Sequence, residues 1–161
     1  MAFPILGALK LAMNAGSHIY KKKKETQMMM ATDWPARETA LPANLIKSGI
    51  PVSPLSFLEP VRLTFALNAN LKMDIAEALA ESPMTDHPPL TNSPQLLVVG
   101  GAETDEFHRQ SQMYKDKFAT DERLIDMYVV PNVDHFDELN VLADPTSPFF
   151  TKTYAMLGPK G

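Results

Sequence analysis

Two short stretches carry the residue types that proton-transfer chemistry needs. Glu103, Asp105 and Glu106 follow the apolar run QLLVVGG at 95–101, and Asp134 and His135 follow the stretch IDMYVVP at 125–131. The first is a continuous apolar run closed by glycines, as expected for a parallel strand buried on both faces, and the second reads as another strand, stopped by its proline. In an open parallel sheet, ligands collect outside the carboxyl ends of the strands. An acid after one strand and a histidine after the next are therefore placed to meet. Such a pair is the orienting half of a Ser-His-acid triad, in which the acid fixes the imidazole tautomer and the histidine moves the proton. The alternative is that Glu103 and Asp105 cap the helix that follows and His135 is an ordinary loop histidine; spacing alone leaves both open.

Composition narrows the remaining chemistry. The 161 residues contain no cysteine, which excludes disulfides, Cys-based zinc sites and thiol catalysis. His18, His87 and His108 have no spacing that suggests a metal site, so neither metal nor cofactor is expected. Fifteen Lys and Arg against nineteen Asp and Glu leave a net charge of −4, which argues against a nucleic-acid partner. The basic run Lys21, Lys22, Lys23 and Lys24 is expected to be solvated. No apolar stretch reaches the ~18 residues of a membrane helix. The opening MAFPILGALKLAM has its sole early charge, Lys10, inside the apolar run and no obvious small-residue cleavage pattern, so a cytoplasmic protein is expected.

The elements that must hold these residues follow from periodicity. An α/β domain is expected, with parallel strands near 47–52, 95–100 and 126–130 joined by right-handed crossovers. Helices are predicted from Met73 to Ala80 with Asp74 near the start, and from about Phe107 to Phe118 with Thr104 or Asp105 as N-cap. Shorter ones are predicted from about Phe136 to Ala143 and from Phe150 to Leu157. Met28, Met29 and Met30, among ten methionines, read as core filler.

Longer motifs add a resemblance. GGAETDEFHRQSQMYKDKF and VPNVDHFDELNVLADPTSP resemble the C-terminal part of the α/β-hydrolase family that contains kynurenine formamidases and related esterases. QMMMATDWP resembles the helix after that family's nucleophile elbow, with Trp34 at a packing and loop-entry position. LPANLIKSGIPVSPLSFLEPVRLT resembles the next strand and the entry to the lid, and NANLKMDIAEALAESPM the lid's continuation. The resemblance implies His135 as triad histidine and Glu103 as triad acid, three positions before the Glu of EFHRQS. Asp105 is the alternative acid and otherwise a helix cap. His108, Arg109 and Gln110 read as hydrogen-bonding residues of the helix terminus.

The nucleophile departs from the pattern. The family carries G-x-S-x-G on a strained strand-to-helix turn, and no such motif occurs in this chain. LAMNAGSHI, 11–19, resembles a damaged elbow in which Asn14 replaces the Ser or the Ser is deleted. Ser17 is the best-placed hydroxyl; Ser48, Ser53 and Ser56, in or just past a strand, are weaker candidates.

The resemblance therefore implies one truncated α/β-hydrolase domain over 1–161, a partial fold of C-terminal parallel strands with flanking helices and a lid segment. Within it, 1–25 is a divergent N-terminal segment, 54–93 a lid-like region and 94–161 the acid- and His-bearing region. The implied activity is hydrolysis of small acyl esters or N-formyl amides, with His135 as general base oriented by Glu103. The alternative is a catalytically impaired fragment acting as a self-associating scaffold. No membrane partner is expected. A homodimer or higher oligomer is, because a truncated sheet leaves an edge and an apolar face to cover.

Overall fold

A computed structural model describes residues 24–157. The run at 95 forms β1 (Gln95–Gly100), all six residues buried, and the run at 125 forms β2 (Ile125–Val130). They pair in parallel, Gln95 opposite Ile125 and Gly100 opposite Val130, as a two-stranded sheet.

The expected third strand is only half made. Residues 49–52 run alongside the other edge of β1 through isolated parallel bridges, Gly49 to Gln95 and Val52 to Val98. The amides of Leu96 and Val98 donate to the carbonyls of Gly49 and Pro51, each at 2.9 Å. Gly49 and Ser53 donate in return to Pro94 and Val98, at 3.0 and 2.7 Å. The donor midway between them would be residue 51, a proline without an N–H, so the ladder is interrupted at its centre. Ser53, with φ of 44°, then turns the chain out of the strand direction.

Helix α1 is described from residue 24 to residue 30, and α2 is Trp34–Arg37, capped by Asp33 accepting from the Ala36 amide at 3.1 Å. The lid-like region holds four short helices where one was predicted. These are α3 (Glu59–Leu63), α4 (Phe65–Leu71), α5 (Ile75–Ala80) and α6 (Pro83–Asp86). Asp74 is the N-cap of α5 and accepts from the Glu77 amide at 2.8 Å, which moves the helix start past Met73. The Asn68 side chain brackets Met73, donating to its carbonyl and accepting from its amide, and so joins α4 to α5. Then come α7 (Asp105–Phe118), α8 (Glu138–Ala143) and α9 (Pro148–Leu157).

Alternation along β1 sends its side chains to two different layers. Leu97 packs with Tyr114 and Phe118 of α7, Ile125 and Met84, while Leu96 and Val98 pack with Val130 and Phe149 of α9. A third cluster, Leu58, Val61, Met73 and Ala78, holds the lid-like helices together. Two surface expectations change. Met30 is buried but Met29 is 42% exposed. Lys24 is not solvated: its side chain is 9% exposed, with the ammonium on the Glu81 carboxylate, because α1 lies against the end of α5 and burial of an amine requires a partner. Lys21, Lys22 and Lys23 lie outside the described residues. Among the described residues no helix is long and apolar enough to cross a membrane.

Candidate functional site

The loops leaving β1 and β2 are bonded to each other before any side chain is considered. The Gly101 amide donates to the Val130 carbonyl at 2.8 Å and the Ala102 amide to Val133 at 2.9 Å. The approach is so close that a Cβ on Gly100 would stand 2.4 Å from the Val133 oxygen, which is why glycine occupies the strand end. Asn132 takes a left-handed turn, φ 59°, a conformation Asn tolerates better than most residues. Asp134 then accepts from the amides of Phe136 and Asp137 at 2.9 and 3.2 Å and fixes the backbone that carries His135.

These turns bring Glu103 and His135 together: His135 Nδ1 is hydrogen-bonded to Glu103 Oε1. The imidazole is flanked by Phe107 of α7, ring centroids 4.9 Å apart, and meets Phe136 edge-on at 5.7 Å. Its side chain keeps 26% exposure whereas that of Glu103 keeps 1%. A ring held through Nδ1 has its other nitrogen as the remaining site for proton exchange.

Glu103 has further donors on its second oxygen. Oε2 accepts from the Ser53 hydroxyl at 2.7 Å and from the Gly100 amide at 2.8 Å. Burial pushes this carboxyl up. The hydrogen bonds from His135, Ser53 and Gly100, with the attraction of the imidazole, outweigh it and hold the group at about 2.

Ser53 is fully buried, and its hydroxyl also contacts Glu138 Oε2 at 2.5 Å. Glu138 is the first residue of α8 and is 1% exposed. Among the described residues, Glu103, His135 and Glu138 offer ligand atoms within 4.8 Å of one another. A cation shared by all three would have to displace existing bonds, since Nδ1 and Oε1 already hold each other and Ser53 joins the two carboxyl groups.

The other singled-out residues lie elsewhere. Asp105 is exposed at the start of α7; the carboxylate on His135 is that of Glu103, because the turn after β1 points residue 103 inward and residue 105 into the first turn of the helix. Thr104 is the N-cap there, without a side-chain capping bond. Arg109 pairs with Glu106 through two 2.7 Å bonds, and Gln110 accepts from the Phe57 amide at 2.9 Å, tying the lid-like region to α7. His87 Nε2 contacts the Ala80 carbonyl, His108 is a half-buried residue of α7, and Trp34 opens α2. Ser56 is buried against Gln27 of α1, and Ser48 is half-buried beside the bridged segment. Ser17, Asn14 and His18 lie outside the described residues.

Sequence reasoning weighed Ser53 only as a nucleophile and passed over Glu138. The Ser53 hydroxyl is bonded to the Glu103 and Glu138 carboxyl groups. A Glu opening a helix ordinarily reads as an exposed partner of the helix dipole, and nothing in DELN distinguishes a buried one.

No family model matches the chain. It is 31% identical over 136 residues to a protein from Salmo salar named kynurenine formamidase. That match covers 81% of this chain, and the chain spans 43% of the relative's length. A crystal structure of a thioesterase candidate from Silicibacter sp. aligns with a TM-score of 0.54 at 30% identity, covering 65% of this chain and 37% of that one. The chain is thus a mixed α/β protein, similar over most of its length to less than half of a protein named kynurenine formamidase.

Proposed function

We propose that the chain carries the acid–histidine half of a partial α/β-hydrolase fold of the esterase or formamidase type, acting on small acyl esters or N-formyl amides. The observation that carries this reading is the buried Glu103 carboxylate on His135 Nδ1. With Nδ1 protonated against Glu103, Nε2 accepts a proton from an attacking hydroxyl and returns it to the leaving group. The imidazolium formed between these steps is stabilised by a carboxylate that stays ionised. The hydroxyl is supplied by Ser17 or by another residue that the sequence does not identify. No metal or cofactor enters the scheme, the location is cytoplasmic, and the protein works as a homodimer or higher oligomer.

A second reading, a catalytically impaired scaffold, draws support from the lack of G-x-S-x-G and from exposed apolar side chains such as Phe65, 88% exposed, and Leu63, 67%. Hydrolysis of p-nitrophenyl acetate and of N-formylkynurenine by the purified chain separates the two. The hydrolase reading expects turnover that His135→Ala abolishes and a fluorophosphonate adduct on a serine, which names the nucleophile. Turnover unaffected by His135→Ala removes His135 from the reaction, and no turnover with either substrate favours the scaffold.

A further inference from the structure

β2 pairs with β1 along one side of its backbone, and among the described residues no strand lies along the other. Which groups face outward follows from the register. The Gln95 and Gly101 amides donate to the carbonyls of Leu124 and Val130, so the even-numbered residues of β2 bond to β1. Alternation then turns the amides and carbonyls of Ile125, Met127 and Val129 outward. An edge of this kind is a template for another strand.

The middle donor of that row is already taken. The Met127 amide donates to Asp126 Oδ1, on its own neighbour, at 2.8 Å. Lys115 of α7 steadies the carboxylate, its ammonium 3.3 Å from the same oxygen. The Met127 amide first, and then Lys115 and Lys152, hold this carboxyl below its ordinary value against its partial burial, so it is an ionised acceptor at neutral pH. The two ends of the row are closed as well. Before the strand the Arg123 amide donates to Thr120 Oγ1 at 2.9 Å, and after it residue 131 is a proline without an amide. Ile125 and Val129 are left as outward donors about 13 Å apart, at ~3.3 Å per residue. A strand laid along this edge needs the Met127 amide for its central bond, and its carbonyl meets a negative oxygen there instead.

We infer that Asp126 seals the outer edge of β2 against strand addition, and that the strand it keeps out is β2 of a second copy of this chain. The edge is complementary to itself. In a two-fold antiparallel pairing Met127 faces Met127 and Ile125 faces Val129, so the three outward residues of each copy exchange all their bonds. The oligomer proposed above therefore forms through another surface. The inference rests on the sheet and not on the hydrolase reading.

Sedimentation of the full chain at micromolar concentration tests it, each variant being compared with wild type. Asp126→Ala should at least double the mass, whatever the wild-type mass is. Asp126→Asn keeps an Oδ1 acceptor and should sediment as wild type does. Asp126→Ala combined with Val129→Pro should return to the wild-type mass, because the Val129 amide points outward and a proline there costs no bond to β1. An unchanged mass in Asp126→Ala overturns the inference, as does equal association of Asp126→Asn or a double variant that still associates. Amide hydrogen exchange on the wild type gives a second reading that depends on no variant folding. After correction for sequence effects, the Met127 amide should exchange at least about tenfold more slowly than that of Val129, the worth of one hydrogen bond to a charged group. Equal exchange at the two positions, both fast or both protected, would show that Asp126 does not cap the edge and would overturn the inference.

Discussion

Replacing Glu103 by Gln should remove an acid-dependent part of the stability, and its size follows from the three donors on the carboxylate. The group titrates at about 2 in the fold against 4.5 as its ordinary value. Between those values the unfolded chain binds the proton and the folded one does not, so stability falls as the pH is lowered through this window. The stabilisation is fully present above about pH 5, and it disappears as the folded group protonates near 2. At 1.36 kcal/mol per unit, the difference corresponds to about 3 kcal/mol. Urea denaturation of wild type and Glu103→Gln at steps from pH 7 to pH 2 measures it. The stability gap between them should be widest near neutrality and close toward acid, with a slope not exceeding about 1.4 kcal/mol per pH unit from this single group. Other carboxylates titrate in both proteins and cancel in the difference. Parallel curves would refute the reasoning, since they would mean that Glu103 is no harder to protonate in the fold than in the unfolded chain. A gap that widens toward acid would refute it more directly, by requiring the folded carboxyl to hold its proton.

Gly100→Ala should unfold or distort the site, because the added Cβ would meet the Val133 carbonyl at 2.4 Å. A loss of about 2 kcal/mol or more is expected, read as a lower urea midpoint together with a changed His135 ring resonance; wild-type values for both would show that the loops part without cost. Self-association should give a sedimentation mass of a multiple of 17.8 kDa at micromolar concentration, and a mass equal to one chain would remove oligomerisation from the proposal.

What could be read from the sequence divides by physical cause. β1 was legible because burial on both faces writes an unbroken apolar run, α7 because a helix on one face writes a period, and β2 because its β-branched and aromatic residues stop at a proline although only its two ends are buried. Asp74 was legible near the helix start for the same local reason, though its position as the cap itself came from the structure. The segment at 49–52 misled because its composition suits a strand, while the missing amide of Pro51 matters only once a partner strand is known. The lid-like region resolved into four helices because its breaks are made by side chains reaching a few residues along, as Asn68 does at Met73. Lys24 and Glu138 are buried charge-bearing types whose partners, Glu81 and Ser53, lie 57 and 85 positions away. No window of sequence contains such a pair. Glu103 and His135 were juxtaposed correctly because strand order alone carries both to one end of the sheet.

The stitching of the two loops has a consequence for how this end of the protein can be altered. Surface loops ordinarily accept insertions and can be exchanged one at a time. Here Gly101 and Ala102 are bonded to Val130 and Val133, and Gly100 leaves no room for a side chain against Val133. A length change between Gly100 and Glu103, or between Val130 and His135, breaks a main-chain bond on the opposite loop as well as its own. The acid and the histidine are therefore portable only as a matched set: a graft that carries 100–103 into another parallel sheet must bring 130–135 with it.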